Sequence, residues 1–385
     1  MIIPDCPEWN DMPHTKATNG STKESRYLGV LSTLLFDCSA REGYFSPLFM
    51  EAFDFFCRVD DQELRDVFDL ADSHHVTVRV IEVLQSAAAR MGKAELARRL
   101  DPILAVEQKR IANALHYMNA ICASFEAAKC PITIIKSADH WPDLGGDIDL
   151  YTNGSRDLVI HLFRKGFKAE LEPQSWGDRL ANKWNFRLPG LPELVECHVK
   201  WLGQTGEQVA LARRVEERQM LRHIDHYVLP VPAPEERIVI STLQRMYRHF
   251  YIRLCDIANI AALLRDDSVD FSELKRTADL GAIWPGVATL LSIVVAYVKR
   301  YGGEEIRLPQ EVIASALSSQ KRTYISQKFV RIPIMPDAAE LYTHQIVDIG
   351  ANRNFRAVFR LGLLPALATA AFIGYKLTGS DKGIW

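Results

Sequence analysis

Two aspartates separated by one residue, Asp147 and Asp149, follow the glycine pair Gly145-Gly146 in a short apolar segment. Alternate residues of a β-strand face the same side roughly 6.5 to 7 Å apart, so both carboxylates would project from one face. Carboxylates held this close repel each other unless a cation neutralises them, and carboxylate oxygens favour hard divalent ions. The pair therefore predicts a site for Mg²⁺ or Mn²⁺.

A third acid, Glu196, lies in a segment of alternating polar and apolar residues, with His198 and Lys200 in phase with it. If this segment is a strand beside the aspartates, three carboxylates meet, and such a cluster supports two divalent ions about 3.5 to 4 Å apart. We expect Glu196 to complete the metal site and His198 to orient a ligand. The alternative is that Glu196 only pairs with Lys200 or Arg187.

Lys136 and Ser137 follow the β-branched run at residues 131–135 and precede Asp147 by about ten positions. Where a strand gives way to a helix, they would offer an ammonium group, a hydroxyl and backbone N–H groups to phosphates. The alternative for Lys136 is a solvated strand end.

A basic group lies further along the chain, at spacings that cluster its members on one side of a helix. Its members are Arg245, Arg248, His249 and Arg253. We expect Arg248 and Arg253 to hold the triphosphate of a nucleotide or an anionic acceptor. The alternative is an ion-paired helix face with Asp256 as its partner.

The elements that must position these side chains divide the chain into three parts. Apolar residues at helical spacing predict helices up to about residue 129, behind a loose tail of about 25 residues. Short strands are predicted at residues 131–135, 147–151, 166–171, 183–188 and 194–201, with a helix at 155–165. The predicted class is α+β, a small mixed sheet with helices, flanked by helical regions. The predicted parts are 1–126, 127–232 and 233–385, with a proline-containing linker at 231–234.

The composition excludes several classes of protein. With 46 basic against 48 acidic residues, the formal charge of -2 leaves no basic excess to hold a long nucleic acid. The seven cysteines are scattered and lack the C-x-x-C spacing, which argues against a disulfide framework and a zinc site. The first residues do not form a signal peptide, so we expect a cytoplasmic protein.

Two apolar runs are candidates for contact with a membrane. The run at residues 287–298 is too short to span a bilayer and predicts a buried helix. The run at 361–375 is bracketed by Arg360 and Lys376 and interrupted by Pro365. We expect it to be a buried or interfacial helix, with a membrane anchor or membrane contact as the alternative.

The motif residues resemble the nucleotidyltransferase superfamily of the DNA polymerase beta type, and within it a bacterial nucleotidyltransferase-like family with a helical N-terminal region. The matching residues are Lys136, Asp147-Ile-Asp149-Leu150, Gly166-Phe167, Glu196 and His198. Weaker matches lie at residues 71–76 and 248–264. Ser137 stands where the family carries a glycine.

The resemblance implies a nucleotidyltransferase core that moves a nucleoside monophosphate from an NTP to a small-molecule or protein acceptor and releases pyrophosphate. It implies that Asp147, Asp149 and Glu196 hold Mg²⁺ or Mn²⁺ and that Glu196 helps to activate the nucleophile. The C-terminal region would close over the nucleotide. The alternative is a non-catalytic relative that serves as a nucleotide-binding or partner-binding scaffold.

Overall fold

The computed structural model describes residues 19–40, 44–317, 323–326, 328–333 and 338–366. The first five helices are α1 (Asn19–Phe36), α2 (Pro47–Arg58), α3 (Asp61–Ser73), α4 (Thr77–Met91) and α5 (Ala94–Ala127). Asp60 caps α3 by accepting a hydrogen bond from Glu63 N at 2.8 Å. Gly92 ends α4 in the left-handed conformation, with φ 67°. Because α1 begins at Asn19, the predicted 25-residue tail is too long, and residues 1–18 lie outside the described part.

A five-stranded mixed sheet follows, in the order β1-β2-β5-β4-β3. Its strands are β1 (Thr133–Ile134), β2 (Asp147–Thr152), β3 (Glu170–Leu171), β4 (Lys183–Arg187) and β5 (Leu194–Val199). β2 and β5 are parallel, and the other neighbours are antiparallel. Helix α6 (Arg156–Phe167) lies between β2 and β3 in the chain, and α7 (Trp176–Ala181) lies between β3 and β4. The predicted α+β class is confirmed, but the strand expected at 166–171 is short because α6 continues to Phe167.

The sheet has one apolar and one polar face. Alternate residues of the strands pack against α5 and α6 in one buried cluster, which includes Ile148, Leu150, Phe186, Val195 and Cys197. The intervening residues face the other way and include the predicted acids. The hydrophobic alternation therefore decides which face of the sheet carries polar chemistry.

Helix α8 (Val209–Glu217) and the antiparallel hairpin β6 (Gln219–Ile224) and β7 (Tyr227–Pro232) come next, and the sequence analysis missed the hairpin. The predicted linker at 231–234 is instead the end of β7 and the start of α9. Pro234 occupies the first turn of α9, where its missing N–H costs no hydrogen bond.

The remaining elements are mostly helical. They are α9 (Pro234–Gln244), a π-helical turn (Arg245–His249), β8 (Tyr251–Ile252), α10 (Leu254–Arg265), α11 (Phe271–Leu280), α12 (Trp284–Gly302), α13 (Gln310–Ser315), β9 (Tyr324–Ser326), β10 (Phe329–Arg331), α14 (Ala339–Ala351) and α15 (Phe355–Gly362). The short antiparallel sheet β8-β10-β9 was not predicted. Residues of α1 to α4 and of α9 to α12 share one hydrophobic core, separate from that of the sheet.

Helix α12 is largely buried, as predicted for residues 287–298. Among the described helices, none has both the length and the apolar composition that crossing a membrane requires. The apolar run at 361–375 is described only as far as residue 366, so most of the expectation for it lies outside the described residues.

Candidate functional site

The pairing of β2 with β5 places Asp149 beside Glu196. The two strands run parallel, and Asp149 is the direct partner of Glu196 across the ladder. His198 lies two residues further along β5, on the same face. One ligand atom from each of these three residues lies within 4.8 Å of the others. The register of the sheet therefore confirms the prediction that Asp149 and Glu196 share one face.

Asp147 occupies the exposed start of β2, also on this face. Its carboxylate makes no hydrogen bond or ion pair with any described residue. Burial and the negative charge of Glu196 raise its pKa above the ordinary value, although Lys136 and Lys183 act in the opposite direction. The charges of Glu196, Lys136 and Lys183 therefore act on Asp147, while its carboxylate oxygens remain available to a ligand.

Lys136 lies in a strained backbone conformation next to the acids. Its φ of 61° and ψ of -57°, together with a 2.6 Å hydrogen bond from Ser137 N to Ile135 O, define a γ-turn with a positive φ. Such turns are rare and strained, especially for a residue with a side chain. The turn directs the ammonium group to Asp149, with which Lys136 forms an ion pair. Neither side chain is more than 14% exposed.

Lys183 is the functional candidate that sequence reasoning missed. Its Nζ lies 2.9 Å from Glu196 Oε2 and 2.9 Å from Asp178 Oδ1. The expected partners of Glu196 do not take part, because Arg187 pairs with Glu172 at 2.9 Å and Lys200 is exposed beyond the end of β5. The polar alternation within β4, Lys183-Trp-Asn-Phe-Arg187, was the available signal.

Ser137 serves the sheet through its hydroxyl. Its Oγ donates to Asp147 O at 3.1 Å and accepts from Asp149 N at 2.8 Å. These bonds hold the start of β2, and with it both aspartates, against the turn at Lys136. A contact between Ser137 and phosphate stays a prediction.

The pKa values of Asp149, Glu196 and His198 are shifted in different directions and for different reasons. Burial raises the pKa of Asp149 to about 7, despite the opposing charge of Lys136. Burial also acts to raise the pKa of Glu196, but the hydrogen bond with His198 and the charge of Lys183 outweigh it and hold that pKa well below its usual range. Burial lowers the pKa of His198 to about 4. Neutral His198 therefore donates from Nε2 to Glu196 Oε1, 3.2 Å away.

The predicted arginines lie at the edge of this cluster. Arg248 is half-buried, has no hydrogen-bond or ion-pair partner among the described residues, and its charge lowers the pKa of Lys183. Arg253 contacts the ring of His75, and its charge lowers the pKa of Asp147. Both arginines therefore act on the site at short range. Of the other predicted members, Arg245 is fully buried in an ion pair with Asp256 at 2.6 Å, as the alternative reading expected.

A small cavity of about 60 Å³ lies between Lys136, His198 and Arg248 on one side and α14 and α15 on the other. Arg360 holds α15 against this side of the site. It donates to Leu180 O at 2.9 Å and to Thr205 O, and its guanidinium lies 4.6 Å from the centre of the Trp201 ring. The C-terminal region thus covers one side of the site.

The oxygens of Asp149 and Glu196 fit one divalent ion. Ligands bound at about 2.1 Å to a single ion lie at most about 4.2 Å apart, and one oxygen of each carboxylate lies within 4.8 Å of the other, so only a small adjustment of side chains is required. Two carboxylates with a third at the open end suit Mg²⁺ or Mn²⁺. The ion would have to compete with Lys136 and Lys183, which neutralise Asp149 and Glu196.

Neither a family model nor a curated protein matches the chain. Among solved structures, it is similar to an antigenic nucleotidyltransferase-like protein from Paracoccidioides brasiliensis, with 16% sequence identity and a TM-score of 0.31. The match covers 47% of this chain and 92% of that protein. A likeness of this size does not establish a common fold, so the functional argument rests on the residues of the site.

Proposed function

We propose that this protein is a metal-dependent nucleotidyltransferase that moves a nucleoside monophosphate from an NTP to an acceptor and releases pyrophosphate. The observation that carries the proposal is the pairing of Asp149 with Glu196 on parallel strands, beside His198 and behind the exposed Asp147. The proposed reaction also requires a site for the phosphates of the NTP, and the cationic side chains around these acids would provide it.

In this proposal Asp149 and Glu196 hold the divalent ion, and Asp147 contributes from the open end of the face. When bound, the ion would neutralise phosphate charge and lower the pKa of an attacking hydroxyl. His198 keeps Glu196 oriented through its Nε2–H bond. Lys183 holds the other oxygen of Glu196, so that carboxylate is fixed from two directions.

The phosphates of the NTP would lie against Lys136, Arg248 and Arg253. Arg248 has a guanidinium without a described partner, and Arg253 directly precedes α10. Guanidinium groups suit phosphate because they can donate two hydrogen bonds to its oxygens. Once a metal ion neutralises Asp149, Lys136 is released to contact phosphate. The strained turn keeps its ammonium group at the site in either state.

Binding at Arg248 would require α15 to move. The cavity there, about 60 Å³, holds about two water molecules, whereas ligand pockets are typically about 300 to 1,000 Å³. Breaking the contacts of Arg360 with Leu180 O and Thr205 O opens this side. The described structure is therefore a closed form of the proposed enzyme.

The acceptor is proposed to be a small molecule or a protein side chain. A formal charge of -2 provides no general attraction for a long nucleic acid. We also propose a reducing cytoplasmic compartment, since the six described cysteines are free and three of them, Cys130, Cys197 and Cys255, are buried.

A second candidate is a scaffold with this fold that binds nucleotide or a partner without chemistry. The observation that favours it is the neutralisation of both inner carboxylates by Lys136 and Lys183. If the lysines permanently replace the cation, the fold persists and turnover is lost.

The two candidates are separated by measuring pyrophosphate release and thermal stability together, with each of the four NTPs and with Mg²⁺, Mn²⁺ or EDTA. The enzyme predicts stabilisation by one NTP and pyrophosphate release, both dependent on metal and both lost in Glu196→Gln. The matched control is Glu170→Gln, at an exposed position of β3, which should behave as wild type. Metal-independent stabilisation without pyrophosphate would support a nucleotide-binding scaffold. No response to any nucleotide would contradict the enzyme and favour a partner-binding scaffold.

A further inference from the structure

A cleft away from the acid-bearing face has a volume of about 830 Å³, within the usual range for ligand sites. Its walls come from α1, α2, α4, the 3-10 turn Ser137–His140, the β6–β7 hairpin, α9 and α10. The acid site and this cleft share the 3-10 turn, which runs from Ser137 beneath β2 to Asp139 in the cleft wall.

One wall of the cleft is apolar. It is formed by side chains of α1, the segment before α2, and α4, including Leu35, Phe45 and Val83. The hairpin adds Met220 and Leu221 at the rim, which are 51% and 71% exposed. These exposed apolar side chains at the rim and the apolar wall provide surfaces for a hydrocarbon or aromatic body.

Three guanidinium groups surround one carboxylate in the same cleft. Asp139 Oδ1 lies 2.5 Å from Arg237 Nε and 3.7 Å from Arg222 Nη1. Arg79 donates from Nη2 to the main-chain carbonyls of His140 and Trp141 at 3.0 and 2.7 Å. Its Nη1 is buried and has no hydrogen-bond partner among the described residues. This part of the cleft thus has more cationic groups than carboxylates to match them.

The crowding of these cations has an electrostatic consequence. Burial lowers the pKa of Arg222, and the positive charges of Arg237 and Arg79 lower it further. Asp143 takes up part of the charge of Arg79, at 3.5 Å from Nε, while the remaining acids of the cleft, Glu82 and Asp266, are exposed at its rim. Three guanidinium groups against Asp139 and Asp143 leave a local excess of positive charge, which favours an anionic ligand.

We propose that this cleft binds a free phosphate monoester with an apolar body, its phosphate on Arg79, Arg222 and Arg237 and its body between the apolar wall and Leu221. Phosphate oxygens accept bidentate hydrogen bonds from guanidinium groups, which makes arginine suited to this head group. The proposal is independent of the nucleotidyltransferase proposal, because none of these residues belongs to the acid site.

Calorimetric titration of the full chain with octyl phosphate, below its micelle concentration, tests the proposal. We expect saturable one-site binding that is at least about tenfold tighter than that of 1-octanol or inorganic phosphate, since each probe lacks one half of the ligand. Arg237→Gln should weaken binding at least about tenfold, and Arg164→Gln, at an exposed position of α6, should not. Leu221→Glu should also weaken it, and this exposed position tolerates the change without loss of the fold.

Several results would overturn the proposal. They are an absence of saturable binding, equal binding of octanol or of phosphate alone, and unchanged affinity in both Arg237→Gln and Leu221→Glu. Binding to phosphatidic acid vesicles without binding to free octyl phosphate would also overturn it, because it would assign the arginines to a membrane surface.

Discussion

Two clusters of charge in this protein are similar in composition and differ in how completely their groups are matched. Between α8, α9 and α11, Arg218 lies 2.5 Å from Glu235 and 3.1 Å from Glu236, while Arg214 lies 3.4 Å from Glu236 and also pairs with Glu273. Glu235 additionally accepts from Asp270 N at 2.8 Å. Every carboxylate of this network faces an arginine, and its residues lie in or directly after regular helices.

The acid-bearing face of the sheet is matched less completely. Asp147 and Arg248 have no hydrogen-bond or ion-pair partner among the described residues, and Lys136 occupies a strained γ-turn. Strain and unmatched charge reduce stability, so they persist where a ligand makes use of them. The comparison is consistent with a structural role for the helical network and supports the proposal that the sheet face binds a ligand.

The largest predicted effect is on turnover at the sheet face. Asp149→Asn removes a metal ligand and should lower NTP turnover by more than about 1,000-fold, equivalent to about 4 kcal/mol in the barrier. The free energy of unfolding should change by less than about 1 kcal/mol, since burial already disfavours the charge of Asp149. Steady-state kinetics and urea unfolding of the same preparation check both. Retained turnover, or global unfolding, would remove the distinction between the two clusters.

The helical network should show the opposite response. Glu235→Ala removes one partner of Arg218 and the partner of Asp270 N, while Arg218 keeps Glu236, and we expect a loss of about 3 kcal/mol in unfolding free energy. Turnover per folded molecule should stay unchanged. Urea unfolding with kinetics normalised to the folded fraction measures the effect. A turnover defect in fully folded Glu235→Ala would show that the network also acts on the site.

Buried histidines with lowered pKa values, among them His198 and His74, limit the pH range in which the two clusters can be compared, and His74 belongs to neither cluster. Its Nδ1 accepts from Leu254 N at 3.0 Å, its Nε2 lies 2.9 Å from Lys328 O, and burial lowers its pKa to about 4. The charges of Arg253 and Arg245 also lower that pKa, whereas the carbonyl of Lys328 and the charge of Asp256 raise it.

Because the unfolded chain takes up this proton near pH 6.5 and the folded chain near pH 4, stability is intact above pH 6.5 and falls as the pH drops towards 4. The loss amounts to about 3 kcal/mol. Urea unfolding from pH 7.5 to 4.5 measures how the free energy of unfolding depends on pH. This dependence should be less steep in His74→Gln than in wild type, by an amount that corresponds to the uptake of up to one proton on unfolding. Identical slopes would show that His74 does not titrate on unfolding.

The smallest effect concerns backbone strain. Glycine accepts a positive φ, so Lys136→Gly should be more stable than Lys136→Ala by about 1 kcal/mol. At Arg214, inside the regular helix α8, the order should reverse, with glycine about 1 kcal/mol less stable than alanine. Thermal unfolding of the four variants measures this contrast. Equal stability of the two Lys136 variants would show that the turn carries no strain.

The sequence predicted those features that depend on local pattern. The alternation in β2 and β5 placed Asp147, Asp149 and Glu196 on one face. Features set by distant contacts were missed.

Lys183 pairs with Glu196 only because β4 lies beside β5, a neighbour that the alternation does not name. The hydroxyl of Ser137 bonds to β2 rather than standing free, which depends on the turn geometry at Lys136. The β6–β7 hairpin was missed because Pro232 and Pro234 suggested a linker at residues 231–234.

The central claim is that the sheet face binds a divalent ion despite its lysines. Electron paramagnetic resonance of Mn²⁺ titrated into wild type, Asp149→Asn and the exposed control Asp225→Asn, each with and without NTP, tests it directly. We predict saturable binding of Mn²⁺ in wild type and in Asp225→Asn, strengthened by one NTP and lost in Asp149→Asn. An absence of Mn²⁺ binding with every NTP, or equal binding in Asp149→Asn, would contradict the account.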